Sequence, residues 1–177
     1  KKYPLSGSLF KEYDEALTLA RYIIKRYGYN IKSQTKEKVE IPPFWIDMSK
    51  LFEFYTLSLL KDHFGAAVSF QFKNRGSELD YLLNTETYKM VIDAKYKPSY
   101  LNGRNNQDMR QVSGYARLKK VYETLYGDKD YNKLIDCLII YPDQETGLEK
   151  ITGNDLKQNP IPDYMNIYKL GVVLPIV

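Results

Sequence analysis

The feature that most constrains the fold is an apolar run from Leu134 to Tyr141, which contains one charged residue, Asp136. A run of this length without alternation is typical of a strand that is covered on both faces. Such a strand needs helices on both sides of its sheet, and helical and strand-like patterns both precede the run. The sequence therefore predicts an α/β fold with a central mixed sheet flanked by helices.

Hydrophobic spacing and turn residues place the other elements. Apolar side chains at helical spacing predict three helices: an extra N-terminal helix at about 6–27, one from Asp47 or Ser49 to His63 or Phe64, and one from Gln107 to Tyr126. Shorter runs bounded by turn residues predict strands at 67–72, 79–83 and 90–96, and less regular runs suggest strands at 148–152 and 166–174.

The length of 177 residues predicts one domain over residues 1–177, since it is enough for one sizeable core and too short for two full ones. Its core lies at about 47–141, after the N-terminal helix, and a C-terminal extension follows at about 142–177. The start at Lys1 is typical of a fragment of a longer subunit.

The net charge of +4 and the single cysteine exclude several classes of protein. The charge permits a polyanionic partner such as nucleic acid without demanding one. Because Cys137 is alone, a disulfide framework, a zinc knuckle and a four-cysteine iron–sulfur site are excluded, which fits a reducing cytoplasm. No apolar stretch approaches the ~20 residues that span a bilayer, so we expect no membrane partner.

Two carboxylates and an ammonium share one face of the predicted hairpin. Strand side chains alternate between faces, and we pair Leu83 with Tyr88 across a loop of even length. Asp80, Asp93 and Lys95 then lie on one face. The other face is apolar and carries Met90, Ile92, Ala94 and Tyr96. One face is thus expected to pack, while the other carries charges.

The charged face fits a magnesium site for phosphodiester hydrolysis. Two carboxylates a few ångströms apart repel by about 4 kcal/mol at an effective dielectric constant of about 20, which a cation must offset. Lys95 offsets part of this repulsion, and Mg²⁺ suits the rest because it prefers carboxylate oxygens and keeps several waters; Mn²⁺ can substitute. Together they would orient an attacking water and stabilise charge on the phosphate.

Two helices add candidate residues. Glu53 falls on a stripe of apolar side chains at helical spacing, where a carboxylate is costly unless it is paired or bound to metal. Glu53 is therefore a candidate metal ligand or water-holding group, with a solvated helix residue as the alternative. Gln111 and Tyr115, one turn apart, form a polar edge that suits contact with a nucleotide or with the lysine, and ordinary helix packing is the alternative.

These residues resemble those of a known nuclease superfamily. Asp80 is followed 13 positions later by Asp93-Ala94-Lys95, within the order helix, three strands, helix, strand. This arrangement resembles the PD-(D/E)xK nucleases. The segments 47–53, 91–97 and 111–115 resemble more narrowly the McrC family, the nuclease subunits of McrBC-type restriction systems, and the resemblance covers about 47–141.

The resemblance implies a restriction-endonuclease-like core and a Mg²⁺-dependent DNA endonuclease, the cleavage subunit of an McrBC-like complex. Its implied partners are DNA and an NTP-hydrolysing AAA+ subunit of McrB type, a GTPase or ATPase. The resemblance implies that the metal ligands are Asp80, Asp93 and the Ala94 backbone carbonyl. It implies that Lys95 is the catalytic lysine. It also implies supporting roles for Glu53 and for the Gln111/Tyr115 pair.

Other interpretations remain open. Leu79 stands where the superfamily name has proline, and Glu78 competes with Asp80 as the metal ligand. A second Asp-x-Lys, Asp155-Leu156-Lys157, follows no strand that carries a carboxylate and is typical of a surface turn. The alternatives for function are a stand-alone RecB-like exonuclease or repair nuclease, and a non-catalytic module that binds DNA or a partner.

Overall fold

The computed structural model describes residues 20–21, 46–74, 76–97, 100, 105–127 and 131–175. The chain divides into two compact units, Lys1–Phe44 and Trp45–Val177. In the first unit the described residues are Ala20 and Arg21, and both are helical. The rest of the helix predicted at about 6–27 lies outside the described residues.

The second unit is built on a five-stranded mixed sheet. Its strands lie side by side in chain order: β1 (Val68–Asn74), β2 (Ser77–Asn84), β3 (Lys89–Ala94), β4 (Asp136–Pro142) and β5 (Ile167–Val172). Neighbouring strands are antiparallel from β1 to β3 and parallel from β3 to β5. The predicted α/β fold with a central mixed sheet is confirmed.

The helix before the sheet, α1 (Met48–Phe64), has the predicted ends. Asp47 caps its N-terminus by accepting a hydrogen bond from the Lys50 backbone N–H at 3.1 Å. Gly65 follows the last turn with φ 54°, a conformation that glycine adopts at little cost. The cap and the glycine therefore fix the length of α1.

Both faces of the sheet are packed. α1 covers one face of the sheet, where it packs in one core with Tyr81, Met90, Ile92 and Ala94. Two further helices, α2 (Asn106–Tyr115) and α3 (Lys119–Tyr126), cover the other face, which includes Leu79, Leu82 and Val91. In β4, side chains alternate between the two cores, which confirms a strand covered on both faces. The first face of the hairpin packs as predicted. The second face, which was expected to carry charges, is also packed, because α2 and α3 cover it.

The single helix predicted from Gln107 to Tyr126 is two helices. α2 ends in tight turns, in which the Leu118 N–H donates to the Tyr115 carbonyl at 3.1 Å. Leu118 itself is extended and begins α3 by accepting from the Val121 N–H at 2.9 Å. Leu118 also packs against the core, so burial of its side chain accompanies the change of direction.

The hairpin between β2 and β3 has a different register from the one predicted. Leu83 pairs with Met90 rather than with Tyr88, and the loop comprises residues 85–88. Thr85 closes this loop, since its N–H donates to the Tyr88 carbonyl at 2.8 Å and its hydroxyl accepts from the Tyr88 N–H at 2.7 Å. The shift is two positions, so every side chain keeps its predicted face.

The C-terminal extension contributes to the core. The strand predicted at 166–174 is present as β5, whereas the one predicted at 148–152 is not a strand. Leu148 forms a single bridge with Val172, and Thr152 and Asp155 cap a short turn just afterwards. The capped turn begins at Thr152, where the predicted strand would have ended. In the part of the chain that the structure describes, no helix is both long and apolar enough to cross a bilayer.

Candidate functional site

Asp80 lies where the sheet is interrupted on both sides. In the register between β1 and β2, Gln71 stands opposite Asp80 but does not pair with it, and Gln71 has φ 50°. Positive φ is uncommon in residues other than glycine and marks local strain. On the other side the β2–β3 pairing ends at Tyr81 and Ile92, and the Ala94 N–H donates to Asp80 Oδ2 at 2.8 Å. The β3 backbone thus holds this carboxylate.

Asp93 and Lys95 complete a charged group at the end of β3. Continuing the register by one position places Asp93 opposite Asp80. Asp93 is 1% exposed, and Lys95 Nζ lies 2.7 Å from its Oδ2. The structure therefore brings together the three residues that the sequence placed on one face.

Burial raises the affinity of both carboxyls for protons. Burial, and then the charge of Asp93, raises the pKa of Asp80 to about 6. Burial also raises the pKa of Asp93, although Lys95 opposes it. Burial by itself lowers the pKa of Lys95, but Asp93 and Asp80 outweigh it and the net pKa is raised. Lys95 is consequently a cation at neutral pH and suits charge stabilisation rather than proton abstraction.

These residues open into a cleft of about 400 Å³ between α1, the end of β3 and the start of α2. Its wall is polar and is formed by Ser49, Glu53, Asp80, Ala94, Lys95, Tyr96, Lys97, Gln107, Asp108 and Gln111. The candidate site is therefore reachable from outside despite the burial of Asp93.

Glu53 and Gln111 line this cleft, as the sequence suggested. The Glu53 side chain is 17% exposed and pairs with Lys50 at 3.3 Å. Burial, followed by the charge of Asp80, raises the pKa of Glu53. Gln111 Nε2 donates to the Tyr115 hydroxyl at 2.9 Å, while Tyr115 is not part of the cleft wall. Tyr115 thus contacts a residue of the cleft wall and does not line the cleft itself.

The donor set fits a magnesium ion held by two carboxylates. Among the described residues, no three Asp, Glu, His or Cys side chains are grouped so as to hold a metal ion. Mg²⁺ nevertheless needs only one or two carboxylates, because it keeps several waters. Asp93 Oδ2 is buried and accepts no hydrogen bond of ordinary geometry from the described residues, despite its close contact with Lys95. Such an oxygen calls for a further cation.

The rival candidates do not reach this cleft. Glu78 is exposed and lies 3.8 Å from Lys73, which favours Asp80 as the carboxylate of the site. In the second Asp-x-Lys, Asp155 accepts hydrogen bonds from Thr152, and Lys157 forms an ion pair with Asp136. Neither residue lines the cleft.

Sequence reasoning missed a buried acid beside the site. Asp108, in the first turn of α2, accepts from Lys97 Nζ and from the Tyr100 hydroxyl. One signal was present: Asp108 precedes Gln111 by three positions, which places both on one side of a helix. Its partners lie on a different segment, so the pairing itself could not be predicted.

The raised pKa of Asp80 predicts a pH-dependent cost in stability. Without divalent metal, stability should fall as pH rises from about 4 to about 6, because the folded protein holds a proton that the unfolded chain releases. Asp80→Asn keeps the acceptor for the Ala94 N–H and removes this charge. We expect Asp80→Asn to exceed the unmutated protein in stability by on the order of 2 kcal/mol at pH 7 and to match it near pH 4.

Urea unfolding at both pH values, in EDTA, measures this difference. Glu86→Gln is the matched control, since Glu86 is an exposed carboxylate in the β2–β3 loop. An Asp80→Asn advantage that is the same at both pH values would contradict the electrostatic explanation.

Comparison with known proteins gives a family match and a structural similarity. The sequence matches the family model of the McrBC 5-methylcytosine restriction system component over residues 2–142. No curated protein matches the sequence. The chain is similar, at 19% identity and a TM-score of 0.45, to a chain in the refined half-complex from the tetradecameric assembly of Thermococcus gammatolerans McrB AAA+ hexamers with bound McrC. The match covers 73% of this chain and 28% of that one, so this chain spans just over a quarter of its length.

Proposed function

Because this chain belongs to the family of McrBC 5-methylcytosine restriction system components, we propose that it carries the DNA-cleaving site of such a system. The proposed activity is Mg²⁺-dependent endonucleolytic hydrolysis of DNA by a PD-(D/E)xK-type site, in the role of an McrC-like subunit. The proposed partner is an NTP-hydrolysing AAA+ subunit of McrB type.

The observation that carries this proposal is the charged group at the end of β3. Asp80 and Asp93 stand opposite each other on adjacent strands, and Lys95 lies 2.7 Å from Asp93. Burying these carboxylates costs stability, which is reflected in their raised pKa values. A structural ion pair needs only one of the two acids, whereas a metal site explains both.

Each residue has a distinct part in the proposed reaction. Asp80, Asp93 and the Ala94 carbonyl would hold the metal. Bound there, Mg²⁺ supplies a Lewis acid for a phosphate oxygen and lowers the pKa of a coordinated water. Lys95 places a fixed positive charge beside the phosphate, where negative charge develops as the attacking oxygen adds.

Glu53 of α1 and Gln111 of α2 both line this cleft. The Glu53 carboxylate offers an acceptor for the attacking water. The backbone of Glu53 is held in place because the Tyr81 hydroxyl donates to the Glu53 backbone carbonyl at 2.6 Å. Gln111, oriented by Tyr115, offers an amide to the sugar or phosphate of the strand. None of these contacts reads a base, so the choice of DNA sequence or modification falls to the partner.

The test is cleavage of covalently closed circular DNA by the full-length protein together with its AAA+ partner, nucleotide and Mg²⁺. We expect double-strand cuts in circles, loss of activity in EDTA and recovery with Mg²⁺ or Mn²⁺. Degradation that starts only at the ends of linear DNA would instead indicate the exonuclease alternative. DNA binding with no cleavage under any metal would indicate a non-catalytic module.

A further inference from the structure

A second lysine lies in the cleft, and a buried carboxylate holds it. Lys97 Nζ lies 2.9 Å from Asp108 Oδ1 and 3.0 Å from Asp108 Oδ2. Asp108 is 3% exposed, whereas the Lys97 side chain is 42% exposed. Both residues line the cleft that contains Asp80 and Lys95. The pair thus has a buried acid at its base and an accessible ammonium at the cleft.

The orientation of Asp108 is fixed from behind. The buried Tyr100 hydroxyl donates to Asp108 Oδ2 at 2.6 Å. The Tyr100 carbonyl in turn accepts from Lys169 Nζ of β5 at 2.9 Å. With both oxygens engaged, the Asp108 carboxylate has one orientation, and the place of the Lys97 ammonium follows from it.

Lys97 keeps donor capacity for a ligand. An ammonium has three N–H groups, and at most two of them point to Asp108. The described structure gives the Lys97 ammonium no acceptor other than Asp108. The same cleft contains the carboxylates of Glu53 and Asp80, which repel a polyanion. A further cation beside the metal and Lys95 therefore favours a DNA strand in the cleft, because the charge of Lys95 is engaged by Asp93.

We propose that Lys97 binds a phosphate of the DNA strand next to the scissile one, and that Asp108 is the positioning residue for Lys97. This inference rests on the proposed function, because it requires DNA in the cleft. The competing explanation is structural: the pair ties the segment after β3 to α2 and contacts no ligand. The two explanations differ in how DNA affinity depends on salt, since each phosphate contact releases counterions.

The experiment measures the binding of the full-length protein to a short fluorescent duplex by anisotropy, in Mg²⁺ and over a range of salt concentrations. All variants carry Lys95→Ala, which should slow cleavage by on the order of 100-fold or more and retain the metal. Lys97→Gln retains an N–H donor for Asp108 and loses the charge. We expect about fivefold to tenfold weaker binding at low salt and a salt slope smaller by about one, whereas Lys97→Arg keeps both near the parent values.

Lys157→Gln is the matched control, because Lys157 is 39% exposed, pairs with Asp136 and lies outside the cleft wall. It should change neither affinity nor slope. Asp108→Asn tests the positioning role: in that background Lys97→Gln should have less than half of its effect on affinity.

The outcomes separate the two proposals. Cleavage at the unmutated rate by the Lys95→Ala parent would overturn the proposed function and this inference with it. A parent that does not bind DNA even at low salt would overturn this inference. A parent that binds DNA, with an unchanged salt slope in Lys97→Gln, would overturn only the role of Lys97. An undiminished effect of Lys97→Gln beside Asp108→Asn would overturn the role of Asp108.

Discussion

Asp80→Ala, Asp93→Ala and Lys95→Ala should each reduce DNA cleavage by on the order of 100-fold to 1,000-fold, as removal of one well-placed charge-stabilising group does. Each substitution removes a different part of one device, either a metal ligand or the cation beside the phosphate. Because the parts act as a unit, any two substitutions combined should cost little more than one. Initial rates on circular DNA, in the assembled system with Mg²⁺, measure these losses.

Stability must be followed in parallel, because Lys95→Ala leaves the buried Asp93 without its cation. Asp93→Asn keeps the shape of the side chain and should lose cleavage equally. The control is Asp155→Ala combined with Lys157→Ala, the second Asp-x-Lys, which should cleave at the unmutated rate. Wild-type cleavage by any of the three site variants, or a large loss in the control, would mean that the site is assigned to the wrong residues.

Cleavage should also depend on the AAA+ partner and its nucleotide, by on the order of 100-fold or more, the gain that a tethered second binding contact provides. The sequence has no Gly-x-x-x-x-Gly-Lys-Ser/Thr phosphate loop, and its net charge is only +4. We therefore expect the 177-residue chain by itself to bind DNA weakly and to align the scissile phosphate poorly.

Omission experiments measure this dependence. The full-length protein, the partner, Mg²⁺ and GTP or ATP are combined with plasmid DNA, and each component is left out in turn. A partner variant that binds but does not hydrolyse nucleotide separates delivery of the DNA from mere assembly. Efficient nucleotide-independent degradation by the isolated chain would contradict the restriction-subunit role and favour a stand-alone nuclease.

In the second unit, the sequence by itself determined most of the segments that form elements and which face most side chains take. The Asp47 cap and Gly65 fix α1 because both act through the local backbone. The run around β4 predicts burial on both faces, since a segment without alternation has no side suited to water. Asp80 and Asp93 share a face in any register shifted by an even number of positions, so the prediction survived the wrong pairing of Leu83.

Only the tertiary structure decided the register of the strands, the division of the last predicted helix and the pairing of the C-terminal strand. The register of β2 and β3 depends on how Thr85 closes the loop, and the two-position difference sets Asp80 directly across from Asp93. The division between α2 and α3 coincides with partial burial of Leu118 against a core made of distant segments. β5 pairs with β4 in parallel, and a parallel pair is joined by a long crossover, here residues 143–166, rather than by a short turn that would mark the pairing in the sequence.

The residues around the site show most clearly what the sequence could not predict. Lys97, Tyr100 and Asp108 are unremarkable in the sequence, because a lysine, a tyrosine and an aspartate each have many surface uses. Burial makes these residues interact. Asp108 must be paired because it is buried in α2, and Lys97 and Tyr100 are the donors that reach it. Local patterns determine periodicity and caps, whereas the cost of burying a charge exists only after distant segments have packed.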